Sequence, residues 1–201
     1  MEFDCSKADP CLYFRWTEQG LTLWIFWVDD CVSVGKRELV LDARKGMTDQ
    51  FNCDEVGELT EFEGCKLERD AKQLKITQPV LMKSFADEFD LPEGSAPTTP
   101  GEPGLVLMKA RDDEAIDGTV QSMYQSGVGK LIHMLKWSRP DVLNAVQDLT
   151  WHTSKATLCH VKAMNQVMTY VTATTDCGLT LEPNANWDGS KEFEFLGDQV
   201  F

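Results

Sequence analysis

The chain has no long apolar run and little positive charge. None of its apolar stretches approaches the ~20 residues that a membrane-spanning helix needs, and its amino end, MEFDCSKADP, has no signal-peptide core. Basic side chains number 19 against 33 acidic ones, which gives a formal net charge of −14. These features predict an intracellular protein without a membrane segment. They also argue against a uniformly basic nucleic-acid-binding surface, because affinity for a phosphate backbone comes mainly from Lys and Arg.

Cysteine and histidine are present, but not in metal-binding patterns. The seven cysteines are an odd number and include no C-x-x-C pair and no Cys/His cluster at zinc spacing. The three histidines, His133, His152 and His160, are scattered along the chain. We therefore predict reduced thiols, and solvated or core histidines rather than metal ligands.

The most distinctive stretch is LTLWIFWVDDCVSVG, which spans Leu21–Gly35. Apolar, aromatic and β-branched runs at Leu21–Val28 and Cys31–Val34 flank the pair Asp29-Asp30, which predicts two strands joined by a two-residue turn. The first run hardly alternates with polar residues, and this favours strands buried on both faces.

The two carboxylates at the tip of this hairpin are candidate metal ligands. Adjacent like charges repel each other and are costly to desolvate at the end of an apolar ribbon. Mg²⁺ or Mn²⁺ would remove both problems, because hard cations bind carboxylate oxygens. The alternative is an acidic turn that faces water, since Asp is a favoured turn residue, and the dipeptide alone does not decide between the two.

The rest of the chain predicts a mixture of helices and strands. We predict helices over 36–56, 78–89, 127–137 and 160–173, with another helix starting at the sequence SRPD. A second hairpin is predicted from 59–67 and 73–77, turned at Arg69-Asp70-Ala71, and the tail predicts strands in LTLEP and KEFEFLG. The predicted apolar stripes of the first three helices are Leu39, Val40, Ala43 and Met47, then Val80, Leu81, Phe85 and Phe89, then Val128, Leu131, Ile132 and Leu135.

Several segments of the sequence resemble segments of a known protein family. FWVDD resembles the Y-x-D-D hairpin of reverse transcriptases, and ADPCLYFRW ahead of it resembles a segment of the copia-type retrotransposon polymerases. Four further segments follow in the same order as in that family: DEVGEL, LKITQPVLMKSFADEF, YQSGVGKLIHMLKWSRPDVLNAVQDL and HVKAMNQVMTYVTATTDCGL. The resemblance covers about residues 8–180.

The resemblance implies an α+β fold with an antiparallel, palm-like sheet, a two-carboxylate hairpin and a helical, thumb-like bundle. Residues 1–90 would be the C-terminal half of a polymerase palm with a primer-grip-like hairpin, and 91–119, rich in proline, a linker or long loop. Residues 120–178 would be the thumb and connection. Residues 179–201 would lead into a ribonuclease H domain, but no matching acidic cluster follows, so no ribonuclease H activity is expected.

The same resemblance assigns the site residues. Asp29 and Asp30 would be catalytic metal ligands for Mg²⁺ or Mn²⁺, and Trp27, where the family usually has tyrosine, would form a wall of the nucleotide site. The residues near the primer end would be Phe62, Glu63 and Gly64.

The sequence does not decide the roles of three basic residues. Lys36 and Lys45 are candidates, by position alone, for protonating the leaving pyrophosphate. Arg139 is either a helix-capping residue or a substrate contact.

The predicted function is a fragment of an RNA-directed DNA polymerase, a nucleotidyltransferase that uses two-metal catalysis in the intact parent. Its partners would be an RNA or DNA template-primer, a deoxynucleotide and the remaining polyprotein domains: fingers and palm, ribonuclease H and integrase. A third metal-binding aspartate of the family lies upstream of the matched region, so this chain alone is expected to be inactive. The alternative is a decayed or repurposed remnant that acts as a non-catalytic interaction protein.

Overall fold

The structure is a computed structural model that describes residues 3–28, 30–54, 57–70, 73–91, 94, 96–111, 114 and 116–182. The chain forms two compact units, Met1–Leu59 and Thr60–Phe201. Across the described residues the fold is α+β, with two antiparallel four-stranded sheets and five α-helices. The division between the units therefore falls before the proline-rich segment at 91–119 that the sequence suggested as a linker.

The first unit is an antiparallel meander followed by a helix. Its sheet has the order β1-β2-β3-β4, with strands at Asp4–Cys5, Leu12–Thr17, Gly20–Trp27 and Asp30–Gly35. Helix α1 spans Arg37–Thr48, so the prediction of a helix to residue 56 was wrong. The apolar stripe has no buried residue after Ala43, and the segment that follows Thr48 is exposed.

Helix α1 packs on one face of this sheet. Trp24 on that face is buried together with Leu39 and Ala43 of the helix. The opposite face is also apolar, but it is open enough to leave Trp27 45% and Val34 51% exposed. The expectation of burial on both faces was therefore wrong, because α1, the one helix among the described residues of this unit, covers one side.

The second unit begins with a sheet of the order β5-β6-β7-β8. Its strands are Glu61–Phe62, Cys65–Arg69, Leu74–Thr77 and Leu179–Leu181. The predicted strand over 59–67 is itself a tight hairpin, with φ of 51° at Glu63 and 73° at Gly64. The strand predicted in LTLEP is confirmed as β8, which pairs with β7. KEFEFLG and Ala71 lie outside the described residues.

The helices of the second unit form its core. They are α2 (Pro79–Glu88), α3 (Gly118–Trp137), α4 (Leu143–Thr150) and α5 (Leu158–Ala173), with a 3₁₀ turn at Pro140–Val142 before α4. No helix in the described part of the chain is long and apolar enough to cross a membrane. The buried cluster includes Met82, Phe85, Tyr124, Val128, Leu131, Met134, Val146, Leu149, Met164, Val167, Met168 and Val171.

Two predicted apolar faces were partly wrong. Val80 is 75% exposed and Ile132 is 44% exposed, whereas Met82 and Met134 are fully buried. Helix α3 also begins nine residues earlier than predicted, at a cap where the Asp117 side chain accepts hydrogen bonds from two backbone N–H groups. The sequence reading missed this start because the first turns of α3 are mostly polar.

The sequence SRPD ends α3 and also starts the next helical segment, as predicted, because the 3₁₀ turn at Pro140–Val142 runs directly into α4. Ser138 is the C-terminal cap of α3, where its N–H donates to the Met134 carbonyl at 2.9 Å. Its buried hydroxyl donates to Oε1 of Gln78 at 2.8 Å. Pro140 then opens the 3₁₀ turn.

Gly127 lets α3 and α5 approach each other. A Cβ atom at this position would lie 2.5 Å from Sδ of Met164 and 2.9 Å from Cε of Met168. We expect Gly127→Ala to lower the free energy of unfolding by about 0–2 kcal/mol. Overpacking typically costs about 1–3 kcal/mol, but the atoms that must move are the ends of flexible methionine side chains, and alanine gains about 1 kcal/mol of helix propensity over glycine. The measurement is urea unfolding followed by circular dichroism.

Gly129 provides the matched control in the same helix. Nothing lies within 4 Å of a Cβ built there, so Gly129→Ala should raise the free energy of unfolding by up to about 1 kcal/mol through helix propensity. Equal effects of the two substitutions would contradict the close packing of α3 on α5.

Candidate functional site

The hairpin formed by β3 and β4 has the tight turn that the sequence predicted, shifted by one residue. Trp27 pairs with Asp30, and Phe26 pairs with Cys31. Asp30 is therefore the first residue of β4 rather than part of the turn, and the two positions between the paired residues are 28 and 29. The prediction of an Asp29-Asp30 turn was wrong by one position.

Val28 occupies an unusual backbone conformation at this turn. Its φ is 52° and its side chain is 91% exposed. The tight turns that suit antiparallel strands need a positive φ at their first central residue, and a β-branched residue there is a genuine outlier. The strand register thus overrides the preference of valine for a negative φ. Because the side chain is exposed, its packing against other described residues does not offset the strain.

Trp27 and Asp30 lie side by side on the sheet. Residues directly opposite each other in an antiparallel pair point to the same face, which here is the face away from α1. Both side chains are exposed. Asp29, the other predicted ligand, lies outside the described residues.

The described residues do not make up a metal site by themselves. They contain no group of three or more His, Cys, Asp or Glu side chains that could hold a metal ion. Asp30 is the one predicted ligand that is described, and its side chain is exposed. We therefore derive no catalytic step through a metal from this geometry.

The predicted primer-end residues belong to the second unit. Phe62 is in β5, and its ring makes an edge contact with Trp137 at a centroid distance of 6.5 Å. Glu63 and Gly64 form the turn that follows. Phe62 is thus a packing contact between the β5–β6 hairpin and the end of α3.

Neither lysine candidate lies beside Asp30. Lys36 follows β4 at the end away from Asp30, about 20 Å along an extended strand. Its side chain passes close to Gly20, the first residue of β3. Lys45 is exposed on α1, the helix on the opposite face of the sheet.

Arg139 has a structural role that includes helix capping, one of the two predicted alternatives. It is fully buried, and its Nε and Nη2 donate to the two carboxylate oxygens of Asp141 at 2.9 and 2.8 Å. Its Nη1 donates to the Thr174 carbonyl at 3.1 Å, at the C-terminal cap of α5. The hydrogen bonds from Arg139 lower the pKa of Asp141 below its ordinary value. Arg139 therefore joins the 3₁₀ turn to the end of α5.

Two of the histidines are stacked in the second unit. The rings of His152 and His160 are 4.0 Å apart at an interplanar angle of 16°. His160 is buried, and its Nδ1 accepts a hydrogen bond from the Thr157 N–H at 2.9 Å. The prediction of a core histidine is confirmed for His160, while His133 is exposed.

The buried histidine should make stability depend on pH. Burial, followed by the charge of His152, lowers the pKa of His160 below its ordinary value of 6.5. The unfolded chain then binds the proton more readily, so this contribution to stability is complete above about pH 6.5 and is lost as the pH falls toward the lower folded value. Urea unfolding between pH 5 and 8 measures this, and His160→Gln should flatten the profile.

Relief of the strain at Val28 should stabilise the hairpin. We expect Val28→Gly to raise the free energy of unfolding of the first unit by up to about 1 kcal/mol, because glycine adopts a positive φ without steric cost. The control is Val34→Gly, which places glycine in a strand interior and should lower stability by roughly 0.5–1 kcal/mol. Destabilisation by both substitutions would contradict a strained turn. Thermal unfolding measures both.

Comparison with known proteins relates the chain to transposon polyproteins. It is 26% identical over 180 residues to the retrovirus-related Pol polyprotein from transposon TNT 1-94 of Nicotiana tabacum. The matched region covers 86% of this chain and 14% of that protein. It is 23% identical over 198 residues to the retrovirus-related Pol polyprotein from transposon RE1 of Arabidopsis thaliana, with 93% and 13% covered. No family model and no solved structure match. The chain spans about one seventh of the length of these curated relatives, and it is similar to a segment of retrotransposon Pol polyproteins.

Proposed function

We propose that this chain is a segment of a copia-type reverse transcriptase, namely the second half of the palm followed by a thumb-like helical bundle. The observation that carries the proposal is the β3–β4 hairpin, in which a strained Val28 lies next to the exposed pair Trp27 and Asp30. The similarity to Pol polyproteins supports the same proposal. In the intact parent, a primer 3′-hydroxyl would attack the α-phosphate of a deoxynucleotide.

The strained turn supports a functional hairpin. Residues in sparsely populated backbone regions persist where the surrounding structure fixes them, and they cluster at functional sites. Six residue pairs, from Thr22–Gly35 to Trp27–Asp30, fix the register of this hairpin. A residue that adopts a positive φ more easily would relieve the strain at position 28. The presence of valine is therefore consistent with a turn whose function, rather than its stability, determines the residue.

The chemistry of the hairpin tip fits a role in nucleotide binding. The exposed carboxylate of Asp30, together with Asp29, would hold Mg²⁺ or Mn²⁺ in the intact parent. The indole of Trp27 beside it offers a flat apolar surface against which a nucleotide can pack. Phe62, Glu63 and Gly64 would lie near the primer end.

The chain alone should not polymerise DNA. The resemblance requires a third carboxylate from an upstream palm strand, and the described residues supply no three-ligand group. The net charge of −14 also opposes tight binding of a template-primer. Other domains of the polyprotein would supply both the carboxylate and the positive surface.

The second candidate function is a non-catalytic interaction protein descended from such an element. The net charge of −14 favours it, because an acidic chain binds a phosphate backbone poorly. This candidate predicts no metal affinity at the hairpin and binding to protein rather than to nucleic acid.

Segment replacement in a relative whose own primer extension has first been measured tests the proposal. The part of the Nicotiana tabacum Pol polyprotein that matches this chain is replaced by this chain, and primer extension is measured on an RNA template with Mg²⁺. We expect DNA synthesis from the chimera and none from the isolated chain. Asp29→Asn/Asp30→Asn in the chimera should lower the rate roughly 100-fold or more, because metal-bound carboxylates stabilise the transition state by several kcal/mol.

The matched control is Asp49→Asn/Asp54→Asn, which makes the same change of charge at exposed positions outside the hairpin. It should leave the rate of the chimera within about twofold of the unsubstituted chimera. Synthesis that survives the substitution of Asp29 and Asp30 would overturn the assignment. A chimera that folds but is inactive would favour the interaction protein.

A further inference from the structure

We infer that the first unit has a second binding site, a pocket for an uncharged aromatic small molecule on the α1 side of its sheet. The pocket has a volume of about 420 Å³, within the range of small-molecule sites. It lies on the face opposite Trp27 and Asp30, so it is separate from the proposed nucleotide site. Its lining residues on the sheet side include Cys11, Tyr13, Trp24 and Phe26. Those on the other side are Ala43, Gly46 and Met47 of α1 and Gln50 just after the helix.

The sheet side of the pocket is a preassembled aromatic surface. Trp24 and Phe26 stack with centroids 5.8 Å apart and an interplanar angle of 15°. Tyr13 meets Phe26 edge to face at 5.5 Å. Trp24 itself is buried, so the half-buried rings of Tyr13 and Phe26 are the ones that a flat aromatic ligand can meet without rearranging the strands.

The helix side keeps the pocket open. Ala43 and Gly46 are three residues apart on α1 and fill little volume, and Met47 beside them has an adaptable side chain. Glycine inside a helix costs about 1 kcal/mol relative to alanine. Gly46 therefore lowers helix stability while leaving space over the aromatic surface.

The absence of charge in the lining selects the ligand. None of the ten lining residues is Asp, Glu, Lys or Arg, although these types make up 26% of the chain. Burying a charged ligand there would leave its charge unpaired, which is costly. The polar groups on offer are the Gln50 amide and the Tyr13 hydroxyl, so the matching ligand is uncharged and aromatic with at most a few hydrogen-bonding groups.

The rim of the pocket is held in place by a charged pair outside the lining. The guanidinium of Arg15 lies 4.9 Å from the centroid of the Phe3 ring, which lines the pocket. Arg15 also pairs with Asp42 of α1 at 3.3 Å. Sheet, helix and rim are thereby connected around one cavity.

Binding of the neutral fluorophore N-phenyl-1-naphthylamine to the full chain tests this inference. We expect a saturable, one-to-one rise in fluorescence. Gly46→Leu extends a side chain from a lining position and should weaken binding at least about tenfold. The matched control is Gly129→Leu on α3, where nothing lies within 4 Å of an added Cβ, and it should leave the affinity unchanged.

Nuclear magnetic resonance of the unsubstituted chain gives a second reading that does not depend on the folding of a variant. With the same fluorophore, the amide shifts of residues 43–50 and of Tyr13, Trp24 and Phe26 should move together. Unsaturable binding, equal binding by the Gly46→Leu variant, or shifts confined to the opposite face around Ile25 and Val34 would each overturn the inference.

Discussion

The pairing of Trp27 with Asp30 is the constraint on which the first unit depends. It fixes the length of the β3–β4 turn, and the short turn places Val28 at a positive φ. The same register sets Trp24 and Phe26 on the face toward α1 and leaves Trp27 beside Asp30 on the other face. One strand alignment therefore creates both the aromatic pocket and the exposed carboxylate at the hairpin tip.

The second unit depends on a buried cation rather than on a turn. Arg139 bonds to both oxygens of Asp141 and to the carbonyl of Thr174, so it ties the connection before α4 to the end of α5. These residues lie within or next to the segments of the second unit that resemble the family. Packing therefore explains why these residues are present, whereas the resemblance at FWVDD falls on an exposed, strained turn.

The sequence predicted elements well where a local signal and the tertiary structure agree. Pro79 is the first residue of α2, and Leu39 and Ala43 of the predicted stripe are buried on the inner face of α1. The prediction from sequence failed where a contact between distant parts of the chain determines the structure. The start of α3 is polar and capped by Asp117, and the covered face of the first sheet depends on how many helices the unit has. Neither is visible in apolar periodicity.

The position of the β3–β4 turn was predicted to within one residue. The sequence placed two carboxylates at a hairpin tip, but it assigned the turn to the acidic pair because Asp tolerates unusual backbone angles. The register instead demands those angles of Val28. The signal was available in the rule that a two-residue turn needs a positive φ at its first position. Side-chain preference alone pointed to the wrong residue.

Calorimetric titration of the chain with Mn²⁺, compared with Asp29→Asn/Asp30→Asn, tests the central claim most directly. The account predicts weak binding by the unsubstituted chain, because the third carboxylate of the family is not among its matched residues, and no binding by the double variant. Binding that is equal in the two proteins, or absent from both, would contradict the claim that this hairpin is a metal-binding element.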